Sequence, residues 1–437
     1  MLSTRLEFYL LHLYRYIHGE VLKKQILIIG FDGLGDRPSK ELRGMTPLEA
    51  ASKPSMDLLA SMGAQGLMDP ISPGIIPGSD TAHLAIFGLD PFKVYPGRGP
   101  FEAIGAGAEL NPGDIALRGN FATVDENLIV IDRRAGRSEY GLEELVDFLR
   151  KEINEVDGVR VEFYKASEHR VAVVLRGKDL SDSVSDTDPH VEGLKVGGSI
   201  PLEDTPQARR TADIINKLTS RIYRLLKDHE VNRKRSEAGL PPANVILMRG
   251  AGRMVRLRKI YELERISIER AAAISATALI KGVTKILGFH VIHPPGATGG
   301  LNTNITTKVR AARELISKGY DLVYLHFKGT DSASHDKKPL EKKIFIERCD
   351  RELSELFREF MSDLVIAITG DHTTSSAIGQ HTSDPVPLLI YSSDIFPDMI
   401  GRFSEKSARI GSIGRIRGID LIYLLADLAG RQEKFGA

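Results

Sequence analysis

A single cysteine, Cys349, stands in the whole chain of 437 residues. That scarcity excludes an internal disulfide and any cysteine-built zinc or iron–sulfur centre within one chain, and it fits a reducing compartment. The thiol lies in Phe345-Ile346-Glu347-Arg348-Cys349-Asp350, which reads as helix, so it is expected to pack rather than react. An excess of either charge is also missing. Lys plus Arg total 59 and Asp plus Glu 58, so bulk attraction to nucleic acid or to an acidic membrane is not indicated. No long apolar run is present either. A membrane span needs about 20 mostly apolar residues, whereas Leu2–Leu22 is interrupted by Arg5, Glu7, His12, Arg15 and His18 and lacks the cleavage site of a signal peptide. That segment is expected to be an amphipathic helix packed on the domain or on a partner subunit, in a cytoplasmic protein that is a monomer or a homo-oligomer. No P-loop or dinucleotide fingerprint occurs, and Gly97-Arg98-Gly99 is too short a signal for a nucleotide loop.

What the chain does contain is a strand–helix rhythm at both ends. Gln25–Gly30 (QILIIG), Asp321–Phe327 (DLVYLHF), Asp363–Thr369 (DLVIAIT) and Val386–Tyr391 (VPLLIY) read as buried strands. Leu48–Met62, with Thr46 as cap and Pro47 at the first position, reads as a helix, as do Thr81–Phe87, Ala273–Ile280, Lys308–Lys318 and Leu340–Phe360. This alternation predicts an α/β fold, a mostly parallel sheet with helices on both faces. The middle differs. Strand candidates at Leu117–Val124, Leu128–Ile131, Val159–Tyr164, Arg170–Leu175 and Ala243–Met248 alternate with helices at Ser138–Val156 and Thr205–His229. The expected organisation is an extension over residues 1–24, a core of 25–111 and 253–437, and a smaller inserted α+β domain over 112–252.

The chemistry-bearing residues sit where those strands end. Asp32 follows the first strand within Gly30-Phe31-Asp32-Gly33-Leu34-Gly35-Asp36. Asp331 and His335, four apart and so on one helical face, follow the second. Asp371 and His372 follow the third, and His381 precedes the fourth. Parallel sheets place functional residues at the carboxyl ends of their strands. Carboxylate with imidazole suits Mn, Zn, Fe or Co, and Mg less well. Three carboxylates and three imidazoles are too many for one tetrahedral site and enough for two. A further segment, Pro77-Gly78-Ser79-Asp80-Thr81-Ala82-His83, puts Ser79 at a loop-to-helix junction. There it serves either as a helix cap or as a nucleophile whose phosphoryl oxygens meet helix N-terminal amides. His83, one turn on, is an orienting or a packing residue.

Taken together, DGLGDRP (32–38), PGSDTAHLAIFG (77–88), YPGRGPFEA (95–103), TDSASHD (330–336), TGDHTT (369–374) and HTSDPVP (381–387) resemble the archaeal-type cofactor-independent phosphoglycerate mutases of the alkaline phosphatase superfamily. The resemblance runs from about Gln25 to near the C-terminus and is looser in the insertion. It implies an alkaline-phosphatase-like core with two divalent metal ions (Mn, Co, Zn or Mg). One would be held by Asp331, His335 and His381, the other by Asp32, Asp371 and His372 with the Ser79 oxygen. It also implies interconversion of 3- and 2-phosphoglycerate through phosphoserine at Ser79, with no need of 2,3-bisphosphoglycerate. A phosphohydrolase or a mutase-like homoserine kinase on the same core is the alternative, and a metal-binding protein with a dead site is a third reading.

A substrate with a carboxylate and a phosphate calls for arginine forks. Candidates are Arg133, Arg134, Arg137, Arg170, Arg249 and Arg253, and Lys281 resembles a phosphoryl-contacting lysine of the family. Asp132, Asp188 and His169 are candidates for moving protons on the glycerate hydroxyls. The inserted domain is expected to bind substrate and act as a lid that excludes water.

Overall fold

The apolar run from Gln25 to Phe31 forms a strand buried on both faces, with Leu27, Ile29 and Phe31 on one side. In the computed structural model, which describes residues 23–436, it lies at the centre of an eight-stranded sheet. The amphipathic helix expected over Leu2–Leu22 lies outside the described residues. Across the sheet the order is His290–Ile292, Ala271–Ile274, Leu322–Phe327, Gln25–Phe31, Leu364–Gly370, Val386–Tyr391, Ala64–Asp69 and Gly414–Arg417. Only Val386–Tyr391 runs against its neighbours. The register sets Phe31 beside Phe327 and Gly370, so three adjacent strands end level.

Side chains alternate across this sheet with the two-residue period of a strand. Leu27, Ile29, Val323, Leu325, Ile366 and Ile368 join one core cluster with helices Pro54–Met62, Ile305–Ser317 and Pro339–Phe360. Tyr324 and His326 occupy the alternate positions, and His83 of helix Ser79–Ile86 packs edge-on against both. Helix Gly418–Leu428 lies against Ser79–Ile86 on that face. Cys349 is buried in the first cluster, and burial pushes its thiol up, as a packing residue requires.

Two expected helices differ. Ala273–Ile280 divides into the strand Ala271–Ile274 and a helix Ala278–Ile286. The alanines favour helix locally, but pairing on both edges with Leu322–Phe327 and His290–Ile292 decides the outcome. Leu48–Met62 is two helices, Pro47–Ala50 capped by Thr46 and Pro54–Met62, because Pro54 breaks the ladder and restarts it.

The chain divides into two compact units. Among the described residues, one comprises 23–94, 258–276 and 287–436; the other comprises 95–257 and 277–286. The second unit is built on an antiparallel sheet in which Ile115–Val124 pairs with Arg170–Arg176 and Val245–Arg253. Helices Leu142–Glu152 and Pro206–Leu226 cover one face. This unit starts earlier than the expected insertion at 112–252 and includes helix Ala278–Ile286, which carries Lys281. That helix meets helix Arg98–Gly105 at two glycines. A Cβ at Gly105 would lie 1.7 Å from the Ala278 carbonyl oxygen and one at Gly282 1.8 Å from that of Phe101. Only glycine allows backbones that close.

Candidate active site

Three aspartates converge because three strands end level. Asp32 directly follows Gln25–Phe31, Asp371 directly follows Leu364–Gly370, and Asp331 sits in the first turn of helix Gly329–His335 behind Leu322–Phe327. The chain turns after Asp32 through Gly33, whose φ is +66°. A Cβ there would lie 2.5 Å from Thr374 Oγ1 and 3.1 Å from the Asp331 Cα. The Gly33 amide donates to Asp371 Oδ1 at 3.0 Å, which ties the first strand end to the third.

The ligand-type atoms form two groups, Asp331 with His335 and His381, and Asp32 with Asp371 and His372. Each imidazole is oriented by its other nitrogen. His335 Nδ1 lies 2.8 Å from the Gly379 carbonyl, His381 Nδ1 lies 2.9 Å from that of Pro77, and His372 Nδ1 lies 2.9 Å from Thr374 Oγ1. Every Nε2 therefore faces the carboxylates. His335 and His381 approach Asp331 Oδ1 at 3.3 and 3.5 Å, and His372 approaches Asp32 Oδ1 at 3.2 Å and Asp371 Oδ2 at 3.4 Å. Outer partners of this kind fix ring and tautomer at metal centres. Thr374 also donates to Asp331 Oδ1 at 2.8 Å and so links the groups. Among the described residues, Asp32 Oδ1 and Asp371 Oδ2 are buried without a hydrogen-bond partner. Buried carboxylate oxygens are costly unless a proton donor or a cation meets them, so the second group fits a divalent cation.

Ser79 stands beside that group, with Oγ 3.2 Å from His372 Nε2. It is the first residue of its helix, and Gly78 is the N-cap. Thr81 does the local capping, accepting from the Gly78 amide and donating to its carbonyl. The hydroxyl of Ser79 is thus not needed as a cap. His83 Nδ1 lies 2.5 Å from the Ser79 carbonyl and its Nε2 lies 2.6 Å from the Tyr324 hydroxyl, so His83 both packs and fixes the serine backbone.

The field of the site is set by burial and by one lysine. Burial pushes the carboxyls of Asp32 and Asp331 up, but the Lys328 ammonium, aided by neighbouring histidines, holds both well below the usual range. Lys328 itself is disfavoured as a cation by burial and held well above the ordinary lysine value by the two carboxylates. His326, 3.3 Å from Asp32 Oδ2, is pushed down to about 4, mainly by burial, and stays neutral near pH 7. Lys328, His326 and Thr374 escaped the sequence reading. Lys328 precedes Gly329 and looks like a turn residue; His326 is hidden inside a strand.

The expected substrate-binding residues lie in the second unit. Arg133 makes a two-pronged ion pair with buried Asp188, at 2.9 and 2.7 Å, and Arg249 approaches the same carboxylate at 3.8 Å. Arg133, Arg134 and Arg137 line an open cavity of about 500 Å³ with Asp132, His190 and Glu192. The carboxylate of Asp132 is occupied by the amides of Arg134 and Gly136. Arg253 donates to the Leu180 carbonyl and holds the loop there. Lys281 is half-buried, and burial lowers its pKa.

A second basic group joins the expected Arg170 and His169 to Glu102, Arg98 and Arg118, which the sequence reading did not single out although Arg98 and Glu102 lie in the motif YPGRGPFEA. Glu102 on helix Arg98–Gly105 lies 3.1 Å from Arg98 and 3.6 Å from Arg118, with Arg170 also acting on it. Among the described residues, Arg118 Nε, Arg170 Nε, Asn120 Oδ1 and His169 Nδ1 are buried without a hydrogen bond. Burial, then Arg170 and Arg118, pushes His169 down to about 3, which keeps it neutral. One carboxylate among so many guanidiniums leaves a site suited to anions.

The pairing of Glu102 has a measurable consequence. Burial alone would raise its pKa, yet the arginines, Arg118 first, hold it at about 2 against an ordinary 4.5. A depressed carboxylate contributes stability that is full above its unfolded pKa and is lost as pH falls through the folded one. Glu102→Gln should therefore be less stable than the parent by about 3 kcal/mol near pH 7. The gap should close between pH 4.5 and about 2. Paired denaturant curves across that window test this; a gap independent of pH would contradict it.

A mostly parallel α/β sheet with two carboxylate–imidazole groups at its carboxyl edge and a helix-borne serine beside them is the frame of an α/β enzyme with candidate metal sites. The family model described as 2,3-bisphosphoglycerate-independent phosphoglycerate mutase matches residues 60–232. A relative of that name from Ignicoccus hospitalis is 54% identical over 417 residues, covering 95% of this chain and 99% of its own. One from Sulfolobus acidocaldarius is 54% identical over 414 residues, covering 94% and 99%. Among solved structures, a cofactor-independent phosphoglycerate mutase from Thermoplasma acidophilum superposes with a TM-score of 0.66 at 36% identity, over 93% of this chain and all of its own. A Pyrococcus horikoshii protein does so with a TM-score of 0.81 at 40% identity, over 95% of this chain. The chain belongs to the 2,3-bisphosphoglycerate-independent phosphoglycerate mutase family.

Proposed function

We propose that the protein interconverts 3-phosphoglycerate and 2-phosphoglycerate through a phosphoserine at Ser79, at a site holding two divalent metal ions and using no 2,3-bisphosphoglycerate. The observation that carries this reading is the position of Ser79 Oγ, 3.2 Å from His372 Nε2 and beside two buried carboxylate oxygens that make no hydrogen bond among the described residues.

Phosphate monoesters hydrolyse so slowly that enzymes supply up to about 10²¹-fold acceleration, far more than a single general base gives. Divalent ions held by Asp331, His335 and His381, and by Asp32, Asp371 and His372, would supply the charge that favours a serine alkoxide and draws electron density from the phosphoryl oxygens. The chain's own groups do the rest. Ser79 Oγ forms a bond to phosphorus as the bond from phosphorus to the C3 oxygen breaks, and that oxygen takes up the proton Ser79 gave up. The glycerate reorients, and its C2 oxygen then displaces Ser79, which regains a proton. His83 and Tyr324 hold the backbone of Ser79 in place. The arginines of the second unit, Arg133, Arg134, Arg137, Arg170 and Arg249 with Lys281, match the carboxylate and phosphate of such a substrate. Arg253 supports the loop at Leu180.

The test is a mutase assay on 3-phosphoglycerate with no bisphosphoglycerate added, together with a fast acid quench and peptide mapping after labelled substrate. Formation of 2-phosphoglycerate and label at Ser79 are expected. Release of inorganic phosphate without isomerisation, or label at another residue, would overturn the reading.

A further inference from the structure

Two of the carboxylates at the site, Asp331 and Asp32, divide their oxygens between different partners. Asp331 Oδ1 faces His335, His381 and Thr374, while Asp331 Oδ2 lies 2.7 Å from Lys328 Nζ. Asp32 Oδ1 faces His372, while Asp32 Oδ2 lies 3.1 Å from the same ammonium. One lysine therefore joins the two ligand groups from behind. We propose that Lys328 is a positioning residue and a fixed third cation: it turns one oxygen of Asp32 and one of Asp331 toward the ions, weakens the hold of the site on those ions, and strengthens its hold on phosphate.

The placement is rigid. Lys328 is the N-cap of helix Gly329–His335, one residue beyond the strand Leu322–Phe327. Its backbone carbonyl accepts from the Ser332 amide at 3.2 Å. The charge count gives the direction of the effect. Three ligand carboxylates against two divalent ions leave one net positive charge; Lys328 makes it two, equal and opposite to a phosphate monoester dianion. The same ammonium repels the incoming ions. A side chain with only a structural role would weaken both kinds of binding when removed, whereas a fixed cation moves them in opposite directions. This inference rests on the two-ion reading above.

The experiment uses the full-length protein stripped of metal, as wild type, Lys328→Met, Lys328→Gln and Lys328→Arg. Calorimetric titration with Mn²⁺ alone gives metal affinity, and titration of the Mn²⁺-loaded proteins with inorganic phosphate gives anion affinity. Met and Gln variants should bind Mn²⁺ about tenfold tighter and phosphate about tenfold weaker, as expected for loss of one partly screened charge at this range. Arg should stay close to wild type in both. Metal binding that weakens or holds constant in the folded Met and Gln variants overturns the role of Lys328 and leaves the two-ion reading standing. A wild type that binds no Mn²⁺ overturns the two-ion reading and this inference with it. Two neutral variants are used so that a folding defect in one does not remove the test.

Discussion

Ser79→Ala will stay folded, will still take up metal, and will lose mutase turnover by on the order of 10⁴-fold or more, as removal of a nucleophile does. The stability half of this expectation comes from the helix start. Removing a side-chain cap costs about 0.5–2 kcal/mol, but Gly78 is the N-cap and Thr81 satisfies its backbone groups. The Ser79 hydroxyl has His372 as its side-chain neighbour and no capping duty. Deleting it should therefore shift the unfolding midpoint little. Circular dichroism, metal content and turnover measured on one preparation check the three parts together. Near-normal turnover in a folded, metalled Ser79→Ala would rule out the phosphoserine route and require direct transfer or attack by water.

Removal of metal should have the second large effect. Exhaustive chelation should take turnover to background, and 2,3-bisphosphoglycerate should not restore it. Reconstitution should restore it with about two equivalents of metal per chain. The chelated protein should also be less stable. Asp32, Asp331 and Asp371 are buried together, and among the described residues Lys328 is the one ammonium that pairs with any of them. A ligand present at 100 times its dissociation constant adds about 2.7 kcal/mol for one site, so the melting temperature should climb with metal concentration. Elemental analysis with thermal scans checks both. Full activity at one equivalent would sink the two-ion scheme.

Much of this arrangement is legible in the amino-acid sequence because apolar strands are punctuated by acid. QILIIGFD and DLVIAITGD show a buried strand and its terminal aspartate in one reading, and a parallel sheet puts those ends on one edge. The helical spacing of Asp331 and His335 is equally plain. What could not be read is whatever depends on a neighbour distant in sequence. Ala271–Ile274 has the composition of a helix and becomes a strand through its two edges. Arg118 interrupts an apolar strand as though it marked a solvent-facing position, and is instead buried beside Glu102. Lys328 has no local pattern that separates it from a turn lysine; its meaning comes from Asp32, far earlier in the chain. The start of the second unit at Tyr95 escaped notice because helix Arg98–Gly105 belongs with a helix that the chain makes only after Thr277.

The central strand of the larger sheet has a further consequence, for biosynthesis. Gln25–Phe31 emerges early, yet its partners are Leu322–Phe327 and Leu364–Gly370. They follow by about 300 residues or more, which at 5–20 residues per second is roughly 15–60 s of translation. Throughout that interval an apolar, β-branched segment has two open edges and no neighbour to close them. Residues 95–257, by contrast, hold nearly all of their own sheet and helices before the ribosome reaches Leu322. The nascent chain is thus expected to carry a finished body behind an unpaired strand, the profile of a polypeptide that needs a holding chaperone until its last third is made.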